Sequence, residues 1–299
     1  MKAGLYNIET NELIASWDEI ISNGLDILHN YDDYFEEELL DEQDLSPAAE
    51  IFDKLNKEDV LLKLVIPGNI ERIGNYVFKE CDNLKEVFIE NGVKEIGDCV
   101  FDECCGLTSV YIPDSVIKIG ECAFICCKAL EYVTLPKNLE EIPNECFSSC
   151  WKLKEISLPD SITRIGANAF SNCNSLENVT IPKNVKTISS GAFYDCEKLK
   201  DVVLNEGLQE IKAYAFDDCY ELNTLKVPKS VKYIHKSIFG LYSNIDNKKI
   251  IIQNELNKEF MDKFKNNIVY LSLDMLLNEG KSLKEISNMY KGNDDSLYR

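Results

Sequence analysis

The chain has 299 residues, with 32 Lys and Arg against 52 Asp and Glu, and a formal net charge of −20. This acidic balance argues against nucleic acids and anionic membranes as partners, because phosphate groups are bound by clustered Lys and Arg. No apolar run reaches the roughly 18 residues of a membrane-spanning helix, so we expect no membrane insertion. The 45% hydrophobic share is enough for a buried core.

The composition divides the chain into three segments. Residues 1–60 hold 17 acidic and 3 basic residues, residues 61–245 carry a repeat, and residues 246–299 are balanced at 9 and 9. We predict an acidic N-terminal cap over 1–60, a repeat solenoid over 61–245, and a C-terminal helical cap with a frayed tail over 246–299.

The N-terminal segment contains signals for a hairpin and two helices. Apolar alternation over 5–15 predicts a short hairpin around Thr10 and Asn11. A capping box at Ser16 and Glu19 predicts a helix that starts near Trp17, and Ser46-Pro47 predicts a second one.

An acidic run over 32–44 separates the two predicted helices. A calcium site is one interpretation of this run, but it lacks the Asp-x-Asp-x-Asp-Gly spacing of a calcium loop. A solvated acidic loop is the interpretation that we favour.

The middle segment is a repeat with a fixed step of 23 residues. Cysteine, leucine and isoleucine columns keep the same step as the phenylalanine column. The phenylalanines are Phe78, Phe101, Phe124, Phe147, Phe170, Phe193, Phe216 and Phe239. The cysteines that follow them are Cys81, Cys104, Cys127, Cys150, Cys173, Cys196 and Cys219.

One repeat unit contains a strand followed by turns. Val110 and Ile112 point to the core, Tyr111 points away, and Pro113 ends the strand because it lacks an N–H. Gly120 suits a turn with positive φ. Since one unit cannot bury its apolar face alone, stacked units are expected to form a curved solenoid with parallel strands on the concave side.

The pattern Leu-x-x-Val-x-Ile-Pro-x-x-Val-x-x-Ile-Gly-x-x-Ala-Phe-x-x-Cys resembles the BspA-like leucine-rich repeat of treponemal type, best matched by 107–127 and 153–173. The resemblance covers about residues 61–245. It implies an α/β repeat solenoid, a right-handed horseshoe of 23-residue units with a parallel concave β-sheet and helical caps. Members of this family are often bacterial surface or secreted binders, and some are implicated in adhesion.

The C-terminal segment is expected to cover the last repeat. Leu256, Phe260 and Phe264 are four residues apart and predict a docked helix. A short apolar strand is predicted over 268–273, and a capping box at Ser282 and Glu285 predicts a further helix.

The 12 cysteines allow three interpretations. Zinc binding would require Cys-x-x-Cys spacing, which is absent. Disulfides between stacked cysteines, including Cys99 and Cys122, would have permitted Cα separations, but parallel side chains keep the Cβ atoms too far apart. We therefore expect free cysteines that act as small buried apolar residues.

The sequence predicts no catalytic residues, no metal and no cofactor. His29 and His235 are the two histidines, and a helix end and a turn account for them. Neither a Gly-rich phosphate loop nor a Gly-x-Ser-x-Gly motif is present.

The outward residues of the predicted concave strands are the candidate binding surface. Phe88, Tyr111 and Tyr132 form an aromatic cluster in its N-terminal half, and exposed aromatic rings are typical of binding hot spots. The alternative is that strand propensity alone selects these aromatic residues, or that the N-terminal cap covers them. The complete predicted surface is Phe88, Tyr111, Tyr132, Thr134, Glu155, Ser157 and Thr180.

We expect a non-enzymatic, monomeric interaction module that binds a protein or peptide on its concave face. A bacterial cell-surface adhesin is the alternative that the family resemblance implies, and an enzyme or metal-redox protein is the third. The first residues resemble no signal peptide, so a cytoplasmic location is expected. The cell surface or secretion is the alternative location that the resemblance implies.

Overall fold

The computed structural model of the chain describes residues 2–16, 60–240, 248–252 and 256–270. These residues contain nineteen strands and one helix. In chain order they are β1 (Gly4–Asn7), β2 (Leu13–Ser16), β3 (Leu62–Ile66), β4 (Arg72–Ile73), β5 (Leu84–Ile89), β6 (Glu95–Ile96), β7 (Ser109–Tyr111), β8 (Lys118–Ile119), β9 (Tyr132–Thr134), β10 (Glu141–Ile142), β11 (Arg164–Ile165), β12 (Asn178–Ile181), β13 (Thr187–Ile188), β14 (Asp201–Leu204), β15 (Glu210–Ile211), β16 (Thr224–Lys226), β17 (Tyr233–Ile234), β18 (Lys249–Ile252), α1 (Lys258–Phe264) and β19 (Ile268–Tyr270).

The protein is a parallel-strand β-solenoid of about 8 turns. Most turns contribute one strand to a row that we call the main ladder, in the order β2-β1-β3-β5-β7-β9, then β12-β14, then β16-β18-β19. All its pairs are parallel except those of β1, which pairs antiparallel with both β2 and β3. The parallel arrangement confirms the sequence prediction.

The register of the main ladder follows the repeat through the middle turns. Val110 pairs with Val133 and Val179 pairs with Val202, so equivalent residues of successive repeats are partners. The register departs from this step at the ends, where a bulge follows Leu62 and where Leu225 pairs with Ile250.

The main ladder is interrupted in two places. Residues 154–158 form no strand, and β14 and β16 are not hydrogen-bonded to each other. The inward and outward alternation nevertheless continues through the first gap: Ile156 is buried, while Glu155 and Ser157 are exposed.

A second ladder of two-residue strands runs along the solenoid, where the sequence predicted only turns. It consists of β4-β6-β8 and β10-β11-β13-β15-β17. Gly120 and Gly166 each donate an N–H to the isoleucine carbonyl one turn back, at 2.8 Å. Pro143 occupies the equivalent position and has no N–H, which explains the gap between β8 and β10.

The repeated apolar residues form one continuous core. The phenylalanine column is at most 2% exposed, and neighbouring rings from Phe78 to Phe216 stack with centroids 5.3–5.6 Å apart. The expected burial of Phe170 is therefore confirmed, at 0% exposure.

The prediction of positive φ at Gly120 is wrong. The left-handed residue lies two positions later in this repeat, at Cys122, with φ 55°. Gly120 is instead required by close approach, since a Cβ there would collide with the Asp98 side chain and the Gly97 backbone.

The two ends of the described solenoid are closed differently. The hairpin expected around Thr10 and Asn11 is present as β1 and β2, and Leu5 is fully buried against the core. At the other end α1 buries Phe260 and Phe264, as expected, and β19 follows. The described residues thus contain one short helix in place of the predicted helical caps, while the helices expected near 17–28, 46–55 and 282–290 lie outside the described residues.

Candidate interaction surface

Three aromatic side chains project from the outer side of the main ladder. In β5 the residues Val87 and Ile89 are buried, so Phe88 between them faces outward and is 40% exposed. Tyr111 on β7 and Tyr132 on β9 are 43% and 63% exposed. The exposure predicted from strand alternation is confirmed for these three residues, which we call the aromatic patch.

Strand pairing brings the aromatic patch together. Phe88 and Tyr111 are direct partners, and their rings stack with centroids 4.8 Å apart and planes inclined by 8°. Tyr132 pairs with Ser109 and lies diagonally to Tyr111. An offset stack of this kind holds both rings in one orientation, so the patch is a preformed apolar surface.

One ion pair lines the patch, and a second lies three residues beyond Tyr111 and Thr134 in the chain. Lys63 Nζ lies 3.1 Å from Glu86 Oε2, and both residues line, with the three rings, a shallow hollow of about 190 Å³. Lys137 Nζ lies 2.9 Å from Asp114 Oδ2. The hydrogen bond between this pair lowers the pKa of the Asp114 carboxyl and raises the pKa of the Lys137 ammonium, so both stay charged at neutral pH.

The remaining predicted surface residues are all exposed, but only one adjoins the patch. Thr134 is the strand partner of Tyr111 and lines the same hollow. Glu155 and Ser157 lie in the interrupted segment, and Thr180 lies beyond it on β12. The structure thus gathers Phe88, Tyr111, Tyr132 and Thr134 in one place and leaves the other three further along the solenoid.

Two other exposed apolar residues are not in the predicted set of binding residues. Val203 on β14 is 50% exposed, and Trp151 is 48% exposed with Lys128 Nζ 5.2 Å from its ring centroid. Val203 lies in the outward column of the repeat. Trp151 occupies a column of the repeat that is otherwise mainly polar. The positions of both residues in the repeat can be seen in the sequence.

The buried cysteine column has a polar function that the sequence interpretation missed. All 12 cysteines are free thiols, which confirms the expected reduced state of Cys173 and Cys196. From Cys104 onward, each column thiol donates to the carbonyl of the phenylalanine 26 residues earlier, at 2.9–3.3 Å. The column therefore joins successive turns rather than only filling space.

The described residues show no arrangement typical of a catalytic or metal site. His235 lies in a turn, where its Nδ1 accepts the Ser237 N–H at 3.0 Å, while His29 lies outside the described residues. Within the described ranges, no group of three or more His, Cys, Asp or Glu side chains converges on a metal position. In the same part of the chain, no helix has the length and hydropathy needed to cross a membrane.

Several solved structures are similar to this chain. A leucine-rich repeat protein of T. pallidum is 30% identical, with a TM-score of 0.50 over 54% of this chain and 77% of that one. A leucine-rich cell surface protein of Faecalibacterium prausnitzii is 23% identical, with a TM-score of 0.35 over 72% and 80%. The pneumococcal vaccine antigen PcpA is 20% identical, with a TM-score of 0.38 over 70% and 77%.

No curated protein is detectably similar to the chain. The model of the BspA type leucine-rich repeat region, in contrast, matches residues 50–177 and 163–274 with 6 copies of the repeat. These matches span most of the sequence and all of the middle turns of the solenoid, so the chain belongs to the BspA type leucine-rich repeat family.

Proposed function

We propose that the chain is a non-enzymatic interaction module that binds a protein or peptide segment on the outer side of the main ladder. The observation that carries this proposal is the aromatic patch, in which three neighbouring rings are 40–63% exposed on a paired sheet. Exposed aromatic rings in a fixed orientation are typical of binding hot spots, because a partner can bury them at a low cost in conformational entropy. In this proposal the solenoid is curved and the patch lies on its concave side.

The expected partner segment carries an apolar side chain beside basic ones. An apolar side chain would cover Tyr111 and Tyr132 and remove their rings from water, which contributes about 25 cal/mol per Å². Basic side chains would favour association with a chain of net charge −20, and with Glu155 and Asp201 further along the same face. We also infer that Ser157 and Thr180 offer hydroxyl groups to the partner backbone.

A peptide-display selection tests this proposal with a defined probe. A random peptide library is selected on the intact protein and counter-selected on the double variant Tyr111→Ser/Tyr132→Ser. We expect enrichment of segments that combine an aromatic or long aliphatic residue with Lys or Arg, and weaker binding at high salt. A matched control is Tyr220→Ser, since Tyr220 is 64% exposed but lies outside the main ladder.

The double variant is expected to lose binding while its melting temperature stays nearly unchanged, because both rings are largely exposed. The control variant should keep full binding. Peptides that bind the double variant as tightly as the unchanged protein would contradict the proposal, as would a selection without enrichment.

A cell-surface adhesin is the second candidate function, and membership of the BspA type family is the observation behind it. The two candidate functions differ in cellular location, because an adhesin must present the aromatic patch outside the cell. Labelling of intact cells with a membrane-impermeant amine reagent separates them, because an adhesin must be labelled before lysis. Labelling only after lysis would eliminate the adhesin and leave the interaction module.

A further inference from the structure

A hollow on the second ladder is lined by basic and hydroxyl-bearing side chains. Its volume is about 290 Å³. The residues that line it are Thr163, Arg164, Lys186, Thr187, Ser189 and Lys212. Three of these six side chains are cationic and none is acidic, although the whole chain has a net charge of −20. The hollow, which we call the basic hollow, is therefore a local cationic site on an acidic protein.

Strand pairing brings these residues together from three successive turns. Arg164 on β11 and Thr187 on β13 are direct strand partners. Ser189 directly follows β13. Lys212 directly follows β15, and its N–H donates to the Ile188 carbonyl at 3.0 Å. The backbone positions of the basic hollow are thus set by the ladder itself.

Ser189 and Lys212 occupy a column that holds glycine in other turns. The glycines of this column are Gly74, Gly97, Gly120 and Gly166. A Cβ added at Gly166 would lie 2.5 Å from the backbone nitrogen of Asn144 in the turn before it. Close stacking therefore favours glycine in this column, and stacking alone does not account for the serine and the lysine.

Several polar groups of the basic hollow lack a partner in the part of the chain that the structure describes. Ser189 is 9% exposed, yet its hydroxyl makes no hydrogen bond to any described residue. The same holds for the Thr187 hydroxyl and for the ammonium groups of Lys186 and Lys212. Groups that are buried to this degree are normally hydrogen-bonded, so the Ser189 hydroxyl can donate to a molecule from solution.

The cationic charge of the basic hollow is only partly neutralised. Arg164 donates from Nη1 to Glu141 Oε2 at 3.1 Å and from Nη2 to Asn144 Oδ1 at 2.9 Å. A guanidinium has five N–H donors, so three remain. Glu210 pairs with Thr187 and lies beside the hollow without lining it. The two lysines therefore supply the charge that is available to a ligand.

We propose that the basic hollow binds the phosphate monoester group of a small molecule. Such a group carries a charge of about −1.5 to −2 at pH 7 and has three acceptor oxygens. These properties match the ammonium groups of Lys186 and Lys212 and the hydroxyl of Ser189 better than a carboxylate does, which has one charge and two oxygens. The volume lies near the lower end of the roughly 300–1,000 Å³ of small-molecule sites. This proposal does not depend on the aromatic patch, which lies on the main ladder.

Three small anions that share a phenyl ring test the chemistry of the site. Phenyl phosphate, phenyl sulfate and benzoate are each titrated into the intact, nitrogen-15-labelled protein at pH 7 and low ionic strength. We expect phenyl phosphate to give saturable NMR shifts of the Thr187, Ser189 and Lys212 amides. Phenyl sulfate, with a single charge, should bind about threefold more weakly or less, and benzoate should not saturate. Equal affinities for the three anions, or no saturation with phenyl phosphate, would overturn the proposal.

A pair of lysine substitutions separates the site from the general charge of the protein. Lys212→Gln should weaken phenyl phosphate binding about tenfold, since it removes a charge-assisted hydrogen bond. Lys118→Gln is the matched control, because Lys118 is an exposed residue of β8 on the same ladder but does not line the hollow. It should leave the affinity unchanged. Equal weakening by the two substitutions would overturn the proposal.

Two further variants test the hydroxyl and the neighbouring carboxylate. Ser189→Gly introduces the residue found at four equivalent positions, so the protein should fold with a similar melting temperature. It should weaken binding about three- to tenfold. Glu210→Gln should tighten binding about twofold or more, because it removes a negative charge beside the ligand. An unchanged affinity in Ser189→Gly, or weaker binding in Glu210→Gln, would contradict the assigned position of the phosphate.

A final comparison identifies the kind of molecule that carries the phosphate. Free O-phosphoserine and a peptide that contains phosphoserine present the same group alone and within an extended chain. Because the hollow has space for the phosphate and only a few neighbouring atoms, we expect affinities that agree within about threefold. A peptide that binds about tenfold more tightly would contradict the assignment to a small molecule and identify a phosphorylated protein segment as the ligand.

Discussion

Each buried cysteine of the column combines small size with a hydrogen-bond donor. The Phe147 carbonyl, for example, accepts the Cys150 N–H at 3.3 Å within its own turn and the Cys173 thiol at 3.2 Å from the next. Alanine would fit the same space but would leave out the second bond. The thiol thus adds one link between turns for each repeat, in a place where water cannot compete.

Alkaline pH should destabilise the protein through these thiols. Burial raises the pKa of Cys173 from 9.0 to about 12. Above pH 9 the unfolded chain therefore loses this proton before the folded chain does. The contribution to stability is fully present below pH 9 and is lost as the pH rises towards 12, by at most about 1.4 kcal/mol per pH unit for one thiol.

Denaturant melts from pH 7 to 11 check this expectation. Cys173→Ala should lower the free energy of unfolding mildly at pH 7, by about 1–2 kcal/mol, because the Phe147 carbonyl keeps its backbone donor. Between pH 9 and 11, the free energy of unfolding of this variant should fall less than that of the unchanged protein. Parallel pH profiles for the two proteins would contradict the assignment.

The phenylalanine column makes the largest contribution of any repeated residue to the core. Phe170 is fully buried, and its ring centroid lies 5.6 Å from that of Phe147 and 5.4 Å from that of Phe193. Phe170→Ala should cost about 3–5 kcal/mol in denaturant melts, since it opens a cavity that the paired turns cannot close. Tyr194→Ala, at a neighbouring exposed residue, is the control with little expected effect. A loss below about 1 kcal/mol for Phe170→Ala would be inconsistent with the stacked column.

At the scale of the elements, the hydrogen-bonded ladder is interrupted at a place where the alternation of buried and exposed side chains continues. Val110, Ile156 and Val179 are all buried at equivalent positions, yet the segment around Ile156 forms no strand. The sequence predicts which way a side chain points, because burial of apolar residues sets that direction. It does not determine whether neighbouring backbones approach within hydrogen-bond distance.

The second ladder was missed because its strands have two residues each. Two residues are too short for an alternation to be recognised. Its interruption, in contrast, follows from the sequence once the ladder is known. Pro143 stands where Gly120 and Gly166 donate their N–H groups, and proline has none to donate.

The sequence predicts part of the candidate surface. The exposure of Phe88 and Tyr111 follows from alternation, because the residues on either side of them are apolar and point to the core. Their 4.8 Å stacking distance also needs the strand register, which the structure provides.

At the scale of the whole molecule, each turn contacts mainly the turns beside it. Ion pairs such as Glu141–Arg164 at 3.1 Å and Glu177–Lys200 at 2.7 Å join neighbouring turns on the surface. Exposed pairs contribute only about 0–1 kcal/mol each, so the core columns provide most of the cohesion. The free energy of unfolding is then approximately the sum of one contribution from each turn and one from each interface between adjacent turns.

Because these contributions are additive, we expect the N-terminal hairpin to stabilise only the turns beside it. Leu5 on β1 is fully buried and pairs with Leu64 of β3. Leu5→Ala should open a cavity that costs about 2–5 kcal/mol. Because only nearby turns share that interface, the loss should appear as local opening rather than as global unfolding. Hydrogen exchange should therefore accelerate over residues 60–89 and remain unchanged over 160–240.

Leu13→Ala is the matched control, since Leu13 lies in the same hairpin but is 42% exposed. It should leave exchange over residues 60–89 nearly unaltered. Equal acceleration along the whole solenoid in Leu5→Ala would show that the turns unfold as a single cooperative unit. In that case the first turn could not open by itself, and β1 would stabilise distant turns as strongly as β3, which it contacts directly.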